Sequence, residues 1–133
     1  MTDWQRKVPH LIAVGRVAFG AGLMVAPGLL GRSFLGADAS RPKVRFLSRM
    51  FGGRDLAVGV VLLRALRDGS PQAVNRALLL GAGCDAWDAT AAWRGRDVPI
   101  LVRLGVGATA AAAAAAGVAA ALAPAPSGPV EAP

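Results

Sequence analysis

Cysteine occurs once, at Cys84, and histidine once, at His10. A lone cysteine excludes an intramolecular disulfide and any multi-cysteine metal site, and Cys84 reads as a packing residue. A lone histidine leaves a histidine-based metal centre or a Ser/His/Asp triad without support beyond one residue. Charge is also scarce. Asp, Glu, Lys and Arg make up 17% of the 133 residues, against about 25% in soluble domains. No Walker-type phosphate loop occurs. Gly105-Val-Gly107-Ala-Thr-Ala110 has the spacing of a dinucleotide fingerprint, but too little chain follows for a second strand and no acidic residue stands at the needed distance. No cofactor and no catalytic set are therefore expected.

What the chain does have is apolar and small. Hydrophobic residues reach 54%, glycine occurs 17 times, and mean hydropathy is +0.47. Four apolar segments are legible, at about 8–30, 44–66, 72–93 and 99–123. Each has roughly 22–25 residues, or about 33–37 Å of helix, enough to span a hydrocarbon core of about 30 Å. Pro27-Gly28, the polar stretch 36–42, Asp68-Gly69-Ser70-Pro71 and Arg94-Gly95-Arg96-Asp97 separate them. The Pro-rich stretch 124–133 is expected to be an extended, disordered tail. The expected fold is all-α: a four-helix transmembrane bundle with short loops. A soluble four-helix bundle is the alternative for the same pattern.

The formal charge is +7. Most basic residues lie between or at the ends of apolar segments, which suits phosphate headgroups and topology control better than nucleic acid. Arg45-Phe46-Leu47-Ser48-Arg49 is read in the same way, as an anionic-lipid contact. Arg6 and Lys7 imitate the start of a signal peptide, but the apolar stretch after them is too long and carries Arg16, so the first segment is expected to stay in the protein. Arg6, Lys7, Arg64, Arg67 and Arg76 fall on the side of the termini. Arg32, Arg41, Lys43, Arg45, Arg94, Arg96 and Arg103 fall on the other, which leans toward cytoplasmic loops. Trp4 and Trp93 stand where interfacial tryptophans sit. The expected location is the cytoplasmic (inner) membrane, with several passes.

Six charges lie inside the apolar segments: Arg16, Arg49, Arg54, Asp55, Asp85 and Asp88. A charge near a bilayer centre costs about 2.5–3.5 kcal/mol on insertion scales, so such charges are expected to pair or to line a polar cavity. Depths estimated from the helical rise match Arg16 with Asp55, Arg54 with Asp85, and Arg49 with Asp88. Asp85 and Asp88 share one face of the third segment. Arg54 and Asp55 diverge by about 100° and must address different neighbours. Asp85 and Asp88 could hold a divalent cation, but the arginines compete for the same oxygens, so no metal is expected.

Arg49-Met-Phe-Gly-Gly-Arg54-Asp55-Leu-Ala-Val-Gly59, Asp85-Ala-Trp-Asp88-Ala89 and Gly15-Arg16-Val-Ala-Phe-Gly20 carry a resemblance. Over residues 10–122 the chain resembles small four-helix integral membrane proteins, common in actinobacteria, that are known as domains of unknown function. The resemblance implies a membrane helical bundle and no particular activity.

The expected function is a non-enzymatic accessory or binding component whose partners are the lipid bilayer and a second copy or another membrane protein. One alternative is an oligomeric small-solute or proton-coupled transporter. The other is a membrane enzyme acting on a lipid or quinone, with an aspartate as base.

Overall fold

The computed structural model describes residues 3–123, with side chains described from Lys7 onward. The tail expected at 124–133, and the interfacial place expected for the Trp4 side chain, lie outside that range. The described chain is all-helical. Helix α1 is Asp3–Val25, α2 is Pro27–Leu35, α3 is Pro42–Arg67, α4 is Pro71–Arg94 and α5 is Ile100–Leu122, with a 3-10 turn at Gly36–Ser40 between α2 and α3.

Five helices replace the four expected segments because the first one breaks. A proline disfavours helical geometry in the residue before it, and Ala26 leaves the helix at φ −129°, ψ 59°. Pro27 then restarts the chain at the first position of α2, where its missing N–H costs nothing. The same device opens α3 at Pro42 and α4 at Pro71. The Ser70 hydroxyl caps α4 by accepting from the Ala73 N–H at 3.3 Å. Gly69 turns the chain between α3 and α4 at φ +65°, a conformation that disfavours other residues. In α5 the run Ala110–Ala116 is the best helix former available.

Two antiparallel pairs make up the bundle: α1 lies along α3, α4 lies along α5, and α3 meets α4. Contact positions recur at steps of three and four, the spacing that keeps one helical seam facing its neighbour. On α1 they are Ala13, Arg16, Gly20 and Leu23. On α3 they are Gly52, Asp55, Gly59 and Leu62, and on α4 Leu78, Ala82, Asp85 and Ala89. On α5, Gly107, Gly117 and Ala121 fall in the same register. Small residues set the closeness of approach. A Cβ on Gly20 would lie 2.6 Å from the Gly52 carbonyl oxygen, and one on Gly59 would lie 2.9 Å from the Val17 nitrogen. A Cβ on Gly117 would lie 3.0 Å from that of Ala82.

Two carboxylates share an otherwise apolar core, and large apolar side chains stand on the outside. The buried core is mostly alanine, with Leu23, Val58, Leu62 and Leu78, and its main cluster joins Ala13, Leu62, Ala77, Leu78 and Ala121. Two aspartates, Asp55 and Asp85, are each only 6% exposed, while Val25 and Leu101 are 83% and 81% exposed. Two stretches, Lys7–Val25 and Ile100–Leu122, are long and apolar enough to cross a membrane. Helices α3 and α4 have the length, at 26 and 24 residues, but carry charges along it.

Candidate functional site

Three of the seam positions, Arg16, Asp55 and Asp85, are charged, and they meet. Arg16 projects from α1 between α3 and α4. Its Nη1 donates to Asp55 Oδ1 at 2.5 Å, and its Nη2 donates to Asp85 Oδ2. One guanidinium thus ties three helices, with the three side chains only 9–11% exposed. Gly81 makes room for it one turn before Asp85. A Cβ there would lie 2.9 Å from Arg16 Nη2 and 3.1 Å from its Cζ.

A second pair lies beside the first. Arg54 Nη1 and Nη2 donate to the two carboxylate oxygens of Asp88, at 3.0 and 2.6 Å. This parallel, two-bond geometry fixes both position and plane. The Arg54 guanidinium also lies 4.2 Å from the centroid of the Phe51 ring, one turn earlier on α3. Phe51 meets Phe19 edge-on at 6.5 Å, and Phe19 meets Phe34 edge-on at 6.0 Å. An aromatic chain therefore runs from α2 through α1 to the guanidinium on α3. Arg54 Nε is buried with no hydrogen-bond partner among the described residues.

Two of the three expected pairings are corrected. Arg54 pairs with Asp88 rather than Asp85, and Asp85 joins Asp55 on Arg16. The third arginine, Arg49, is not in the network. It is exposed, and its Nε donates to the Met24 carbonyl at 3.3 Å, near the end of α1. There it meets the negative end of that helix, a favourable place for a cation. Depth was the wrong discriminator, because rotation about the helix axis decides partners. Asp55 shares the α3 face of Gly52 and Gly59 that rests on α1, and Arg54 is turned about 100° from it, toward α4.

The paired set is consequently unequal. Two guanidinium groups, Arg16 and Arg54, face three carboxylates, Asp55, Asp85 and Asp88. Among the described residues no group of three or more Asp, Glu, His or Cys side chains is arranged to hold a metal ion.

A clamp at the other helix pair was not legible in the sequence. Arg103 Nη2 donates to the Trp93 carbonyl at 2.6 Å, holding the start of α5 on the end of α4. The Trp93 indole lies over Gly107, where a side chain would collide with it. Trp93 is half-exposed and Trp87 points outward. Thr109 returns its hydroxyl to the Gly105 carbonyl at 2.8 Å and so adds nothing between helices.

No family model, no curated protein and no solved structure matches the chain. Any function must therefore be argued from the site.

Proposed function

We propose that the chain is a multi-pass integral protein of the cytoplasmic (inner) membrane. It acts as a non-enzymatic accessory or binding component, and α1, α3, α4 and α5 cross the bilayer. The Arg16–Asp55–Asp85 and Arg54–Asp88 contacts lock the first three of these helices in register. The exposed apolar surface supports this reading most: large side chains such as Leu11, Leu80, Leu101 and Leu122 face outward, while two carboxylates are buried at 6% exposure. In lipid, helices are held by small-residue packing and by polar contacts between helices, and both are present here. Four of the charges that make α3 and α4 poor spans by composition, Arg54, Asp55, Asp85 and Asp88, are engaged in ion pairs between helices. Exposed apolar surface on this scale is a liability in water.

The test is extraction of the expressed chain. It is expected in the membrane fraction, resistant to alkaline carbonate and released as a folded helical species only by detergent. A monodisperse, helical protein in detergent-free buffer overturns the proposal.

One observation favours a second reading, a cation- or proton-coupled carrier working as an oligomer. Two guanidinium groups stand against three carboxylates in the paired set, which leaves one carboxylate in excess as a place for a monovalent cation or a proton. Flux of sodium or protons into proteoliposomes, lost on Asp85→Asn with the helices intact, is its signature. Flux no greater than in empty vesicles dismisses it.

A further inference from the structure

The corner where α2, the 3-10 turn and α3 meet holds a shallow, open cleft of about 200 Å³ lined by Gly28, Leu29, Arg32, Ser40 and Arg45. Arg32 comes from the last turn of α2 and Arg45 from the first turn of α3. Neither side chain is ion-paired among the described residues. Asp38, the carboxylate of the intervening turn, is engaged by Arg41 at 3.0 Å. The start of α3 has no side-chain cap, so its first N–H groups add to the positive field there. Leu29 adds an apolar side chain to the lining and is 72% exposed.

From this juxtaposition we propose that the corner binds the phosphate head group of an anionic glycerophospholipid. Arg32 and Arg45 hold the phosphate, the Ser40 hydroxyl donates to it, and the acyl chain runs along Leu29. The exposed Leu29 side chain beside the two arginines is what selects a lipid over free phosphate. The inference rests on the membrane reading above, which sets this corner at a bilayer face.

The test uses the full chain in mild detergent, titrated with phosphatidylglycerol or phosphatidylcholine and read by native mass spectrometry. Phosphatidylglycerol is expected to be retained in preference to phosphatidylcholine. Arg32→Gln with Arg45→Gln should weaken that retention about thirtyfold, from the usual contribution of one basic side chain at an anionic surface, counted twice. Arg94→Gln with Arg96→Gln, at the same end of the bundle but outside the cleft, should leave it within about threefold. Circular dichroism verifies that both variants keep their helices. Equal losses in the two variants mean diffuse attraction and overturn the site. So does equal retention of the two lipids. Displacement of the lipid by equimolar inorganic phosphate assigns the corner to a free anion and overturns the lipid. A chain that is folded and monodisperse without detergent fails the membrane reading itself, which is a separate result.

Discussion

Replacing Arg16 with methionine removes the one guanidinium that Asp55 and Asp85 share. The volume is roughly kept, but two carboxylates that are each 6% exposed lose their donor. Breaking a buried pair from one side typically costs about 3–5 kcal/mol, because it strands a charge. Here two are stranded, so Arg16→Met is expected at or above the top of that range. Arg16→Met combined with Asp55→Asn and Asp85→Asn removes the charges together, and an apolar or neutral replacement of a whole buried network is often close to neutral. The triple variant should therefore be more stable than the single one by at least about 2 kcal/mol. Unfolding of the purified chain in dodecyl maltoside by added dodecyl sulfate, followed by circular dichroism, measures both. A loss below about 1 kcal/mol for Arg16→Met, or a triple variant that is the least stable of the set, would refute the lock.

The same assay checks the remaining geometry. Gly81→Ala places a methyl 2.9 Å from Arg16 Nη2 and should cost about 1–3 kcal/mol, while Gly83→Ala, with nothing within 4 Å, should be neutral or stabilising by up to about 1 kcal/mol. Gly52→Ala would press a methyl to 2.6 Å from the Gly20 carbonyl and 2.8 Å from the Leu23 Cβ. Backbone cannot give way there, so the α1–α3 pair should separate and stability fall by about 3 kcal/mol or more. Arg54→Lys loses the paired hydrogen bonds to Asp88 and the contact with Phe51 and should destabilise. Arg49→Gln, at an exposed site, should stay within about 0.5 kcal/mol. The reverse order would restore Arg49 to the network.

Much of the fold was legible because its signals are local. Proline and the polar stretches between apolar segments mark the helix boundaries, and Pro71, suited to a helix start, opens α4 one residue before the expected segment at 72–93. The break at Ala26 was less visible, since the apolar residues Leu29 and Leu30 continue past Pro27 and imitate one span. Among the charges, the sequence could supply residue type and depth but not rotation about the axis. Depth alone put Arg54 opposite Asp85, and the seam spacing that turns Asp85 toward Arg16 emerges only when the small residues around it are seen in contact. Arg49 misled for a different reason. It sits within an apolar run, yet it lies near the end of α1, where a backbone carbonyl serves it as well as a carboxylate. Gly81 belongs to the site through the side chain it leaves room for, which no local pattern reveals.

Helix α4 decides the central claim, because its composition does not mark it as a span while the outward face of its middle, at Leu79, Leu80 and Trp87, is apolar. With Cys84→Ser as background, single cysteines at Leu80 on α4 and Val14 on α1 can carry nitroxide spin labels in bilayer vesicles. Both parent side chains are about 55% exposed. The account predicts collisions with dissolved oxygen far exceeding those with a water-soluble nickel complex at both positions, the signature of hydrocarbon. Nickel collisions at Leu80 as frequent as those at a loop position such as Arg96 would place α4 in water and contradict it.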